Sequence, residues 1–297
     1  MDISNELGKY SETIEEYLNE ILPKSNSLQK RIFESMRYSI FAGGKRLRPF
    51  LILKTCEIFN GDYKEALPFA AAMEMIHTYS LIHDDLPCMD NDDFRRGKPT
   101  NHKVYGENLA ILAGDGLLNF AYETMISHVF NTKSNSERYL KALKEISNAA
   151  GVFGMIGGQV VDIESEDSGI DQRALDFIHN NKTSALIEAS IVSGAIIGGA
   201  NDDEINLLRD YGKSIGLGFQ IRDDILDKIG DMDKLGKDIG SDEDNHKATY
   251  VSLYGMDSSI EKSKELYNFA ITSLNKFDKK NINILKELAY FLLNRDM

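Results

Sequence analysis

Apolar residues recur at three- and four-residue steps through almost the whole chain, and period-two alternation bounded by turn residues is hard to find. That restricts the fold to an all-α one. The periodicity predicts helices over 12–22, 28–41, 68–83, 107–130, 137–151, 171–199, 203–226, 260–277 and 282–293. Pro68 is expected in the first turn of its helix, where a missing N–H costs nothing. Breaks fall at Gly43-Gly44, Asn60-Gly61-Asp62, Arg96-Gly97-Lys98-Pro99, 166–169 and 230–245. Several helices are apolar on more than one face and carry small residues where neighbours would approach, as at Ala70-Ala71-Ala72 and Ser193-Gly194-Ala195. Such helices are surrounded by others. With no linker, low-complexity tract or fixed-period repeat, residues 1–297 read as a single all-helical domain.

At 297 residues, 42% hydrophobic and 27% charged, the chain can bury a sizeable core. Its formal net charge of -13 argues against nucleic acid as a partner. Phosphate binding would need bridging cations or a local concentration of Lys and Arg. Cys56 and Cys88 have neither metal-type nor redox-type spacing and read as reduced thiols. The acidic start lacks the basic and apolar regions of a secretory signal. The longest weakly polar stretch, 189–200, falls short of the roughly 20 residues that span a bilayer. These features predict a soluble, cytoplasmic protein with no integral membrane segment.

Two acidic clusters are set against apolar helices. The first places Asp84, Asp85 and Asp90, with Asp92 and Asp93 behind them, after the helix that ends near His83. The second places Asp223, Asp224 and Asp227 on another helix, among Phe219, Ile221, Ile225 and Leu226. Asp223 and Asp227 are four apart and share a helix face, with Gln220 a further turn back. Carboxylates packed this closely repel one another unless they are solvated or joined by a divalent cation. A Ca²⁺ loop starting at Asp90 would put Arg95 and Asn101 where Gly and Glu are required, so an EF-hand is excluded. Mg²⁺ is held by one or two carboxylates together with substrate phosphates. Two Asp clusters facing each other across a cavity would therefore capture a diphosphate through bridging ions.

Basic residues fall near these clusters and at helix junctions: Lys45, Arg46 and Arg48 after Gly43-Gly44, Arg95 and Arg96 after the first cluster, and Lys182, Lys237 and Lys247 later. Arg forks and Lys point charges both suit phosphate oxygens. Any one of them alone is an ordinary surface charge; their coincidence with the Asp clusters carries the argument. His77 lies seven residues before Asp84, on the same helix face two turns back.

At these residues the sequence resembles the short-chain trans-prenyl diphosphate synthases. The matching segments are GGKRLRPFL, HTYSLIHDDLPCMDNDDFRRGKPTNH, ILAGDGLL, GGQVVDI, HNNKTSALI, IGLGFQIRDDILD and LGKDIGSD. The resemblance implies an all-α prism of about ten core helices around a deep cavity, usually homodimeric. It implies Asp84, Asp90 and Asp223 as the principal Mg²⁺ ligands, with Asp85, Asp224 and Asp227 in support, about three Mg²⁺ ions per site and Mn²⁺ as an alternative. Lys45, Arg48, His77 and Arg96 resemble a site for isopentenyl diphosphate. Arg95, Lys182, Thr183, Gln220, Lys237 and Lys247 resemble a site for the allylic partner, dimethylallyl or geranyl diphosphate. Ala248 and Lys228 depart from the residues common in the family after these motifs.

The activity so implied is head-to-tail condensation with loss of diphosphate. Arg95, Lys182 and Lys237 would stabilise the leaving group, and Thr183 and Gln220 would turn oxygen dipoles toward the allylic cation. Tyr79, five residues before Asp84, lies about 7.5 Å back along the helix axis with Ser80 beside it, placed to close off the growing chain. A bulky aromatic there resembles farnesyl diphosphate synthases. Geranylgeranyl synthesis is the alternative, followed by a terpene cyclase or a non-catalytic synthase subunit.

Overall fold

The computed structural model describes residues 3–24, 26–132, 134–165, 171–229, 249–277 and 280–294. The fold is all-α: α1 (Ile3–Ile21), α2 (Lys30–Ile40), α3 (Leu47–Ile58), α4 (Tyr63–Asp84), α5 (Asn101–Tyr105), α6 (Glu107–Asn131), α7 (Ser136–Ala150), α8 (Met155–Ser165), α9 (Gln172–Ile178), α10 (Ala185–Gly198), α11 (Asp202–Ile229), α12 (Tyr250–Tyr254), α13 (Met256–Ser273) and α14 (Asn283–Leu293). A π-helical turn, His179–Ser184, joins α9 to α10.

The helix α10 is buried over nearly its whole length and packs against α3, α7 and α11, while α4 packs between α3 and α6. Small residues make this possible. A Cβ on Gly194 would lie 2.3 Å from the Ile52 carbonyl oxygen, and one on Gly198 2.5 Å from that of Cys56, so α3 and α10 touch backbone to backbone. Ala70, Ala71 and Ala72 are likewise buried on α4.

Four local expectations are corrected. The helix containing Pro68 begins at Tyr63, where Asp62 caps it by accepting the Lys64 N–H at 2.9 Å; Pro68 is therefore its sixth residue, beyond the first turn. The helices α3 and α8 were not anticipated. The first is buried on nearly every face and presents no polar stripe to read, and the second contains Gly157-Gly158, which reads as a break. The expected 171–199 helix is interrupted by the π-helical turn. Finally, the break at 96–99 is part of a hairpin, β1 (Phe94–Arg95) pairing antiparallel with β2 (Lys98–Pro99). Arg96 and Gly97 both have positive φ (54° and 72°), as a two-residue type I′ turn requires.

Candidate active site

A cavity of about 370 Å³ opens between α4, α8 and the π-helical turn. Arg48 enters it from α3; His77, Tyr79, Ser80 and Asp84 come from α4. Gln159, Val160 and Ile163 of α8 face them, with Lys182 and Thr183 from the π-helical turn and Leu186 from α10. Elements far apart in sequence thus supply one wall each. Glycine permits the contact between α8 and the turn: a Cβ on Gly158 would lie 2.3 Å from the Lys182 backbone nitrogen. A π-helical turn widens the helix locally, which frequently accompanies function.

The first Asp cluster divides its labour. Asp84, the last residue of α4, lines the cavity, and the loop folds back so that the Asp90 N–H donates to the Asp84 carbonyl at 2.8 Å. Asp85 is turned inward, 3% exposed, and accepts from Arg95 Nε at 2.6 Å; Arg95 Nη2 also donates to Asp92 at 3.1 Å. Burial pushes the Asp85 carboxyl up to about 7, against the pull of Arg95. Arg95 and Arg96 reach a small adjoining cavity of about 30 Å³ and do not line the main one. Arg96 donates to the Gly43 carbonyl, and a Cβ on Gly44 would sit 2.6 Å from its guanidinium, so Gly44 makes room for it.

The second cluster divides in the same way. Asp223 is half-buried and its charge acts on Arg48, whereas Asp224 and Asp227 are each 2% exposed. Asp224 accepts from Gln220 Nε2 at 2.9 Å and from the Tyr250 N–H at 2.8 Å, with His179 Nε2 at 3.6 Å. Gln220 Oε1 in turn accepts from the Thr183 hydroxyl at 2.7 Å. Thr183 lines the cavity and Gln220 stands behind it.

The three basic residues that follow Gly43-Gly44 have three different fates. Lys45 is exposed and does not line the cavity. Arg46 is buried in an internal ion pair with Glu74. Arg48 alone enters the cavity, its Nη1 3.5 Å from His77 Nε2. Burial, with Arg48 and Arg96 close by, drives the His77 imidazole well below its usual range, so at neutral pH it is uncharged and offers a lone pair to Arg48. Lys182 Nζ is held by Asp162 Oδ2 at 2.6 Å. Lys237 and Lys247 lie outside the described residues.

Asp162, Gln159 and His179 were missed from the sequence. A carboxylate among Val160, Val161 and Ile163 of α8 was the available signal for Asp162. His179 is buried and burial lowers its imidazole to about 4, but nothing in its sequence context separates it from a packing histidine.

The donors fit Mg²⁺ by chemistry: Asp84 in the cavity wall and Asp223, whose charge acts on Arg48, offer hard carboxylate oxygens. Among the described residues, no group of three or more His, Cys, Asp or Glu is arranged to hold a metal by itself. Such a donor set suits an ion that takes one or two protein carboxylates and completes its shell with water and substrate phosphate.

Residues 29–288 match the sequence pattern of the polyprenyl synthetase family. A geranylgeranyl diphosphate synthase of Cyanophora paradoxa is 46% identical over 98% of this chain and 95% of its own length. The farnesyl diphosphate synthase of Bacillus subtilis is 47% identical over 88% of this chain and 83% of its own length. Among solved structures, a geranyltransferase of Helicobacter pylori complexed with magnesium and isoprenyl diphosphate superposes with a TM-score of 0.84, at 30% identity, covering 99% of this chain and 97% of that one.

Proposed function

The chain belongs to the polyprenyl synthetase family, and from that premise we propose that it condenses isopentenyl diphosphate with dimethylallyl and then geranyl diphosphate to give (E,E)-farnesyl diphosphate. The observation that carries this reading is the cavity itself. It brings Arg48, His77 and Asp84 together with Lys182 and Thr183, so two anionic heads and an apolar tail can be held in one place.

Asp84, Asp90 and Asp223 would hold Mg²⁺, which when bound neutralises diphosphate charge and assists carbon–oxygen cleavage. Lys182, steadied by Asp162, donates to the departing diphosphate. Thr183 turns an oxygen toward the allylic carbon as positive charge develops there. Arg48, with neutral His77 beside it, holds the isopentenyl head so that its double bond can attack. The apolar wall of Met155, Ile156, Val160 and Leu186 keeps water from the cation. Among the described residues no side chain in the cavity stands out as the final base, and the released diphosphate takes the proton.

A second copy of the chain is the proposed partner, seated on α6. Ile111, Leu112, Ile126 and Phe130 are exposed on this long helix, with Leu118, Tyr122 and Val129 partly so. Sedimentation giving a single 33.4 kDa particle at assay concentration would remove the dimer.

Tyr79 supports the fifteen-carbon product. It is 5% exposed, lines the cavity five residues behind Asp84, and packs edge-on against His83 at 5.7 Å. The geranylgeranyl product is the second reading, favoured by the Cyanophora paradoxa relative. Incubation with Mg²⁺, isopentenyl and dimethylallyl diphosphates, followed by chromatography, should show fifteen carbons from the wild type. Tyr79→Ala should move the product to twenty carbons or beyond. A wild type making mainly twenty, or a variant still stopping at fifteen, removes Tyr79 as the floor.

A further inference from the structure

Asp224 shares a motif with Asp223, but the structure gives it a different surrounding. It is 2% exposed, and its two oxygens meet two N–H donors: Gln220 Nε2 at 2.9 Å on Oδ1 and the Tyr250 backbone at 2.8 Å on Oδ2. The Gln220 amide has two unlike ends. Because an ionised carboxylate only accepts, Gln220 must offer Asp224 its NH₂ end. Its carbonyl end then faces Thr183, whose hydroxyl can meet it only by donating, as it does at 2.7 Å. The Thr183 proton is thereby committed away from the cavity, and the oxygen lone pairs are what remain to face it.

We propose that Asp224 is a positioning residue that sets the polarity of Thr183, and is not a carrier of the metal. The inference rests on the prenyl-transfer reading, in which positive charge develops beside Thr183. A hydroxyl oxygen presented by its lone pairs stabilises that charge, whereas one presented by its proton opposes it. Asp85 offers a parallel in the first cluster: there too the second carboxylate of the pair is turned inward, holding a side chain instead of facing the cavity.

Asp224→Asn keeps an acceptor for the Tyr250 N–H but presents NH₂ to Gln220. The amide must then reverse, its NH₂ end faces Thr183, and the hydroxyl proton is released toward the cavity. Turnover should fall on the order of tenfold to a hundredfold. The Mg²⁺ concentration for half-maximal activity should stay unchanged. So should the rise in unfolding temperature on adding Mg²⁺ with inorganic diphosphate. Adding Gln220→Glu to this variant restores an acceptor for both Thr183 and Asn-substituted 224, and should recover about tenfold of the loss. In a Thr183→Val background, Asp224→Asn should have little further effect. A half-activating Mg²⁺ concentration raised several-fold, or a diminished diphosphate-induced thermal shift, would make Asp224 a metal carrier and overturn the proposal. So would a double variant no faster than Asp224→Asn alone. If the wild type forms no prenyl product at all, it is the prenyl-transfer reading that fails.

Discussion

Replacing Asp84 or Asp223 singly with Ala should each lower turnover by about a thousandfold or more at saturating Mg²⁺. The two carboxylates stand on different helices, α4 and α11, yet one lines the cavity and the other projects its charge onto Arg48, which also lines it. Ions held between them would face one diphosphate from two sides, so neither carboxylate can do the work of the other. Stability should respond in the opposite sense. Asp84 ends its helix beside Asp85, and removing one of two adjacent negative charges at a helix C-terminus relieves repulsion. The unfolding free energy of Asp84→Ala should therefore stay within about 1 kcal/mol of wild type. Single-turnover measurement of allylic diphosphate cleavage in each variant is the direct check. Near-normal cleavage in either one would detach the Asp clusters from the chemistry.

Much of this site is legible in the sequence. The fold class followed from the period of the apolar residues, and Asp84, His77, Arg48, Lys182 and Thr183 were singled out and meet in one cavity. What the sequence hid has physical causes. Spacing along α11 put Gln220 on the stripe of Asp223 and Asp227, but an i,i+4 hydrogen bond ties it to Asp224. Arg95 sits in an acidic loop and looked free to bind phosphate, yet a buried carboxylate, Asp85, holds it. Lys182 was visible as a charge, whereas its partner Asp162 lies twenty residues earlier on a helix whose two glycines disguised it. Residue types reveal which groups can do chemistry; only packing decides which of them face the cavity and which hold the others in place.

The same distinction makes Arg46→Met the more damaging change to the fold, though it stands two residues from Arg48. Arg46 takes a left-handed backbone conformation (φ 49°) at the start of α3, and its side chain is fully buried. Nη1 donates to Glu74 Oε1 at 2.6 Å, Nη2 to the Ile40 carbonyl at 2.6 Å and to Glu15 at 3.0 Å, and Nε to Glu15 at 3.2 Å. The Glu15 contact is near the surface and contributes little. Glu74 is different: only 2% exposed on α4, it is a buried charge whose close ionic partner is removed. Breaking a buried pair by removing one member costs about 3–5 kcal/mol, a large part of the 5–15 kcal/mol that holds a typical domain together. Arg46→Met should lose stability on that scale in urea unfolding, while Arg48→Met, whose partner is a neutral imidazole, should lose much less. Adding Glu74→Leu to Arg46→Met removes the stranded charge and should return most of the loss, because an apolar pair can replace a buried ionic one at little cost. If Arg46→Met alone unfolds at nearly the wild-type urea concentration, Glu74 is reached by water or by another donor, and the pair does not anchor α3 to α4.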